Sequence, residues 1–371
     1  TFDFVIVSTV LGETKDVQRV FECARAACHA RTRVIIAYHN AVWEPLLRLA
    51  TLVGLRRPVG KQNWLSVQDL SNLAYLADLD IIRKSGEVLL PLNVPLLSTF
   101  FNRFLVKFWP WPSLGLIQLL IAKPHALPGL ERPRVTVVVP TRNERGNIQG
   151  AVERTPEMGS GTELIFVDGN STDGTVEEIQ RYIDSRPDRD MKLILQGEGT
   201  GKGDAVRKGF AAAEGDILMI LDADLTVPPE TLPRFVDALV RGKGEFINGT
   251  RLVYPMEDEA MRFLNKCGNR FFSALFTWLL NQPIRDTLCG TKVLTKESYE
   301  LICRNRSYFG DFDPFGDFDL ILGAAKANLK IAEVPVRYEA RRYGTTNISR
   351  FRHGWLLLQM SWVAFRKLKL R

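Results

Sequence analysis

Arg134-Val135-Thr136-Val137-Val138-Val139-Pro140-Thr141-Arg142-Asn143-Glu144 is the stretch whose reading decides the fold class. Five consecutive β-branched residues with no polar/apolar alternation describe a strand covered on both faces, as in a parallel sheet flanked by helices. Further strand candidates recur at Glu163–Val167, Lys192–Leu195, Asp216–Leu221 and Glu245–Asn248, each separated by a helical pattern. This alternation predicts an α/β, doubly wound sheet whose ligand lies at the carboxyl ends of the strands.

The residues at those ends carry the chemistry. Pro140-Thr141-Arg142-Asn143-Glu144 follows the first strand, Asp168-Gly169-Asn170-Ser171-Thr172-Asp173-Gly174-Thr175 the second, and Asp222-Ala223-Asp224 the fourth. In a parallel arrangement these carboxylates converge on one rim, which is costly unless a cation or hydrogen-bond donors balance them. Two aspartates one residue apart suit Mg²⁺ or Mn²⁺, whose oxygen shell is commonly completed by substrate phosphates. The competing reading is that Asp-Gly and Asp-x-x-Gly simply form turns. Gly197–Asp204, with Lys202 and a helix expected from Ala205, fits neither the P-loop nor the dinucleotide-binding spacing. It reads either as a plain surface loop or as backbone able to approach a diphosphate.

Charge is unevenly spread. Residues 1–130 hold 14 basic and 9 acidic side chains, 131–340 hold 27 and 33, and 341–371 hold 8 and none. An acidic centre with a basic tail fits metal chemistry beside an anionic surface better than a nucleic-acid groove, and no nucleic-acid partner is expected. Five scattered cysteines without a CxxC pair point to a reducing compartment and to no disulfide framework. No apolar run reaches the ~18–20 residues that span a bilayer. No secretory leader is visible before Phe2–Val7, where the true N-terminus is expected to be missing; the expected location is cytoplasmic, peripheral to the inner face of a membrane.

Residues 1–123 form a separate α/β segment, with strands at Phe4–Val7, Arg33–Ile36, Asp80–Arg83 and Glu87–Leu90. Helices are expected over Asp16–Cys28 and Ser66–Ala77, the second opened by Ser66 and Asp69. Residues 124–133, with three prolines and a glycine, read as a linker.

From about Arg134 to Asn347 the sequence resembles the family 2 glycosyltransferases of GT-A fold, nearest to their dolichol-phosphate mannose synthase-like branch. The resemblance rests on Pro140-x-x-Asn143-Glu144, Asp168-x-x-Ser171-x-Asp173-Gly174-Thr175 and Asp222-Ala223-Asp224-Leu225 with Pro228-Pro229-Glu230. It continues through Gly249-Thr250-Arg251, Asp286-Thr287-x-x-Gly290, Glu333-Val334-Pro335-Val336 and Arg341-x-x-Gly344-x-Thr346. It implies a GT-A nucleotide-sugar-binding domain over 134–347 that transfers a sugar from a nucleoside diphosphate-sugar to a polyprenyl phosphate, with inversion. Pro140, Asn143, Glu144, Asp168, Lys202 and Asp222 would bind the donor. Asp222 and Asp224 would hold the metal, Arg251 would add fixed charge, and Arg262, Lys292, Arg341 and Thr346 would face the acceptor. Against the family pattern, Gly169 stands for a second Asp, Thr226 for a Gln and Asn347 for a Lys. A phosphate acceptor is already ionised and needs no strong base. A saccharide hydroxyl would, with Asp319 first and Asp286 second as candidates, although Asp319 also suits the N-terminus of a helix.

Residues 1–124 resemble, less specifically, the C-terminal half of a class I S-adenosylmethionine methyltransferase. Phe2–Leu11 would be its fourth strand and turn, and Arg33–Asn40 its fifth. The glycine-rich cofactor loop would lie upstream of Thr1, so methyltransferase activity of this segment is not expected. At the other end, residues 348–371 read as a basic amphipathic helix around Trp355–Phe365. It either lies peripherally on an anionic membrane, at its inner face, or packs on the core; Phe271–Leu280 invites the same two readings. A saccharide-acceptor transferase, a sugar-nucleotidyltransferase and a non-catalytic scaffold are the alternatives.

Overall fold

The computed structural model describes residues 1–57, 62–125, 129–199, 201–251, 263–305, 318–339, 341, 343 and 350–370, with the side chains of 263–267, 269 and 350–353 outside that description. The chain divides into two compact units, Thr1–Ala126 with Lys369–Arg371, and Leu127–Leu368.

The first unit holds strands β1 (Phe2–Ser8), β2 (Cys28–His39), β3 (Leu79–Glu87) and β4 (Ile117–Pro124) in the order β1-β2-β4-β3. β1 runs parallel to β2, and β4 is antiparallel to both β2 and β3. One helix, Val17–Ala26, is capped by Asp16, whose carboxylate accepts the Arg19 N–H. Another helix, Val67–Leu76, opens on a complete capping box made by Ser66 and Asp69. Their apolar faces bury Phe21, Ala24, Leu70 and Ala74 against Val7, Val34, Ile36 and Leu120. Glu87–Leu90 is not a separate strand: Glu87 ends β3, and β4 takes up the antiparallel pairing from a stretch whose apolar run the linker prolines follow directly.

The second unit is built on a seven-stranded sheet of β5 (Arg134–Thr141), β6 (Gly161–Asp168), β7 (Asp190–Leu195), β8 (Ile217–Ile220), β9 (Phe246–Thr250), β10 (Lys292–Thr295) and β11 (Ile331–Pro335). Its order is β11-β9-β10-β8-β5-β6-β7. The sheet is mixed rather than wholly parallel, because β10 lies antiparallel between β8 and β9. β10 has four residues including Lys292, and β11 is an edge strand ending in proline, so neither shows the long apolar signature of β5.

Both faces of the sheet are covered, and β5 shows why its sequence does not alternate. Val138 enters one core with Phe210, Phe276 and Phe318, whereas Val135, Val137 and Val139 enter the other with Ile148, Ile179 and Phe235. Each face needs apolar side chains, so Val135, Val137, Val138 and Val139 follow one another without polar alternation, with Thr136 the one buried hydroxyl among them. β8, β5 and β6 are adjacent and parallel, and their carboxyl ends therefore share one rim.

Candidate functional site

The loops after β5 and β6 lock onto each other. Asn143 sits at φ 56°, a left-handed conformation that asparagine tolerates better than most residues. Its N–H donates to Ser171 Oγ at 2.8 Å, and its Oδ1 accepts the Thr172 N–H at 2.8 Å. The Glu144 N–H donates to Thr175 Oγ1 (3.0 Å) and the Arg145 N–H to Asp173 Oδ2 (3.2 Å). Asp168, only 1% exposed at the end of β6, accepts the Ser171 N–H (2.9 Å) and hydroxyl (2.5 Å) and the more distant Thr141 hydroxyl (3.4 Å). Asp173 is likewise satisfied: burial opposes its charge, but the Thr175 hydroxyl and the N–H groups of Arg145 and Thr175 hold its carboxyl below the usual range. Asn143 and Asp168, both expected to contact a donor, thus already fix the shape of the loops that would receive one.

The two aspartates after β8 are each matched with a cation. Asp222 Oδ1 lies 2.6 Å from Lys202 Nζ. Burial pushes its pKa up, but Lys202, then buried Lys292 and Arg251, outweigh that and hold the carboxyl low. Gly290 makes room for it: a methyl group there would lie 1.9 Å from Asp222 Oδ2. Asp224 Oδ2 accepts from Arg341 Nη2 at 2.8 Å, while its Oδ1 accepts the Thr226 hydroxyl (2.8 Å) and N–H (3.2 Å). Arg341 also faces Glu144, with Nη1 and Oε1 3.6 Å apart. Burial raises the Glu144 pKa, with Asn147, whose side-chain amide donates at 2.6 Å, and then Arg341 working against the rise. Tyr343, two residues after Arg341, packs over Gly146, and its hydroxyl donates to Asp173 at 3.4 Å. A segment more than a hundred residues downstream thereby closes on the rim formed by β5, β6 and β8.

Arg251 and Asp286 are placed differently. Arg251 Nε and Nη2 donate to the two oxygens of Asp286 at 2.6 and 2.8 Å, and its backbone N–H adds a third bond at 3.0 Å. Despite burial, which disfavours both charges, each ion holds the other charged: the Asp286 carboxyl lies low and the Arg251 guanidinium high. Glu333 Oε1 accepts the Arg285 and Asp286 N–H groups, fixing the turn that carries Asp286. A carboxylate so held is a weak proton acceptor in this arrangement, which counts against the general-base role expected for Asp286. Arg251 is committed to Asp286 rather than open to a diphosphate, and reaches Asp222 only through its field.

Lys292, expected to face an acceptor, is fully buried in β10 with its Nζ bonded to the Cys289 carbonyl, and its charge helps to hold the Asp222 carboxyl low. Asp319 lies in the first turn of the helix Phe318–Lys326 and lines a shallow recess with Gly203, Val206, Arg207 and Tyr299. The helix expected from Ala205 begins at Gly201, which places Lys202 in its first turn. Pro140 lies within β5 itself, opposite Val167. Arg262 and Thr346 lie outside the described residues.

Among the described residues no cluster of three or more acidic, histidine or cysteine side chains is placed to hold a metal. Asp222 and Asp224 follow one strand end and each accepts from a cationic side chain; carboxylate oxygens of this kind are the ligand type a divalent cation takes, with further ligands left to a substrate.

Residues 136–302 match the family model described as glycosyl transferase family 2. The chain is 29% identical over 239 residues to a dolichol-phosphate mannosyltransferase of Pyrococcus furiosus, covering 61% of this chain and 64% of the relative. It is 35% identical over 221 residues to an undecaprenyl-phosphate 4-deoxy-4-formamido-L-arabinose transferase of Pectobacterium carotovorum, covering 58% and 62%. The chain therefore spans less than two thirds of the length of either relative. A mannosyltransferase from Pyrobaculum calidifontis, solved with GDP-Man and Mn²⁺, matches 65% of this chain and 66% of that one at 23% identity and a TM-score of 0.44.

Proposed function

Starting from the family 2 glycosyltransferase domain that this chain carries, we propose that the protein transfers a sugar from a nucleoside diphosphate-sugar to a polyprenyl phosphate, on a GT-A type sheet, with a divalent metal. The observation that carries the reading is the pairing of Asp222 with Lys202 and Asp224 with Arg341 on the rim where β8, β5 and β6 end. A metal bound there, Mg²⁺ or Mn²⁺, supplies Lewis-acid stabilisation of the charge that develops on a departing diphosphate.

The chain's own residues would do the rest. Asp222 and Asp224 hold the cation, and Thr226 orients Asp224 through two hydrogen bonds to one oxygen. Thr226 thereby answers for the position where the family pattern has Gln, acting on the ligand instead of on the metal. Lys202, in the first turn of a helix, stands where a phosphate oxygen could exchange for Asp222. The Asn143–Ser171–Asp168 clamp keeps the donor loops in shape before a nucleoside arrives. Arg341, which neutralises Asp224 through one close bond, would act as an exchangeable counter-ion whose guanidinium could turn to an acceptor phosphate if Asp224 served as a metal ligand.

Because the chain spans only part of its relatives, the acceptor and the whole activity are tested directly. The purified protein, incubated with a panel of nucleotide sugars, Mg²⁺ or Mn²⁺ and a short polyprenyl phosphate, should release nucleoside diphosphate together with a lipid-linked sugar. Release that is unaffected by excess chelator, or a product formed only on a saccharide hydroxyl, would overturn the reading. For the first unit we infer a class I methyltransferase-like segment. The reading is supported by β1 and β2 lying adjacent and parallel where the fourth and fifth strands of that fold are expected. Titration calorimetry should detect no low-micromolar binding of S-adenosylmethionine.

A further inference from the structure

The helix Arg350–Leu368 has two apolar sides, and only one is used inside the protein. Leu357, Met360 and Ala364 are 4%, 2% and 0% exposed and pack into the core with Phe276, Leu279 and Leu280. Phe365 stacks on Trp278 of the neighbouring helix, ring centroids 5.6 Å apart. This part of the helix is the core-packed element that one sequence reading expected. Trp355, Leu358 and Trp362 repeat the same three- and four-residue spacing on the opposite side, where they are 63%, 42% and 58% exposed. Arg366, eleven residues after Trp355, ends the same stripe and is exposed, with Lys367 beside it. Phe271, 56% exposed, adds another outward aromatic on the helix that packs against this one.

We propose that the Trp355–Leu358–Trp362–Arg366 stripe is the surface by which the protein lies on an anionic lipid bilayer. The inference rests on the polyprenyl phosphate reading above. Tryptophan favours the boundary between hydrocarbon and water, where its ring is buried and its N–H stays wet. A helix with such a stripe and basic ends lies in the headgroup plane instead of crossing it. Indeed, no described helix is long and apolar enough to cross a membrane. Charge selects the partner: residues 341–371 carry no acidic side chain, and with Arg341 held at Asp224 and Lys369 buried, exposed Arg366 and the adjoining Lys367 are the described basic groups at the end of the stripe, which matches anionic headgroups. Only eight residues separate Arg341, at the carboxylate rim, from the start of the helix, a reach of at most about 30 Å. Surface and site thus belong to one short stretch of chain, so a lipid-borne phosphate would be brought to the same end of the sequence as the residues proposed to receive it.

The test uses the full chain and vesicles of phosphatidylcholine alone or mixed with phosphatidylglycerol. Wild-type protein should co-sediment with the anionic vesicles and shift its tryptophan emission to the blue. Trp355→Ser combined with Trp362→Ser should weaken that binding at least ~10-fold while melting at the wild-type temperature. Arg366→Gln with Lys367→Gln should remove the preference for phosphatidylglycerol. The tryptophan variant should keep wild-type turnover on a water-soluble short-chain acceptor and lose it on an acceptor embedded in vesicles. Equal vesicle binding by wild type and the tryptophan variant, or a stripe that proves to hold two copies together in light scattering, would overturn the docking surface. Absence of turnover on the soluble acceptor by both proteins would instead sink the transferase reading, with vesicle binding still decided by its own readout.

Discussion

Two arginine–aspartate pairs lie at the strand ends of the second unit, and they do opposite things. Arg251 and Asp286 meet through both guanidinium donors and a backbone N–H, with side chains 13% and 1% exposed. Arg341 and Asp224 share one close contact, with side chains 23% and 15% exposed, and Arg341 is divided between Asp224 and Glu144. The first pair is permanent, because separating it strands two charges in a buried place. The second can be exchanged, because water and an incoming ion can reach it. The same two residue types make a closed, buried pair in one case and a looser, partly exposed pair in the other, the one proposed to respond to ligands, and burial and the number of donors set the difference.

The comparison can be broken most sharply at its exchangeable end. Asp224→Asn should lower sugar transfer about 10³-fold or more, the scale of several kcal/mol of lost metal stabilisation, with an unchanged melting curve; near-wild-type turnover would refute the metal role. Asp286→Asn should show the reverse pattern, a loss of about 3–5 kcal/mol of stability from an uncompensated buried Arg251, read by denaturant unfolding. Its pH dependence carries a sign. A carboxyl held low by Arg251 contributes in full above the unfolded value near 3.9, and the contribution disappears as pH falls through the lower folded value. The variant should therefore lose the steep acid limb of the wild-type stability curve.

Gly290→Ala sharpens the comparison from the other side, since the added methyl would collide with Asp222. A cost of about 1–3 kcal/mol should appear as a ~10- to 100-fold fall in kcat/KM for the donor, without the stability loss of Asp286→Asn. Arg341→Gln removes the competitor for Asp224 and should tighten Mn²⁺ binding roughly five-fold, on the scale of 1 kcal/mol for a partly exposed pair, measured by electron paramagnetic resonance without donor. Weaker Mn²⁺ binding would show that Arg341 supports the site instead of occupying it. The smallest effect is expected at Glu144. Burial raises its pKa, so the cost of ionising it is absent below the unfolded value and complete above the folded one. Glu144→Gln should accordingly gain a little stability at neutral pH and none at pH ~4, below the unfolded value.

Much of this architecture is legible along the chain because it depends on local pattern. Val135–Val139 announces a strand between two cores, and Asp168 and Asp222 stand immediately past apolar runs that end at a rim. Capping by Asp16 and by Ser66 with Asp69 is written within four residues. What was illegible depends on partners far apart. β10 pairs antiparallel with strands more than forty residues away, and its four residues announce neither direction nor place. Lys292 reads as an ordinary cation until its burial in β10 shows it to be a counter-charge for Asp222. Arg251 and Asp286 each resemble a catalytic group, and only their mutual bonds reveal a closed pair.

The amino-acid sequence by itself settled the alternation of strands and helices, the position of the carboxylates at strand ends and the basic character of the last helix, because periodicity, turn chemistry and charge are properties of neighbouring residues. Tertiary structure alone decided which acid meets which base: Asp224 finds Arg341 across 117 positions of chain, and Asp286 finds Arg251 across 35. The strength of an ion pair is set by distance, donor geometry and access to water, and those quantities exist only once the chain has folded.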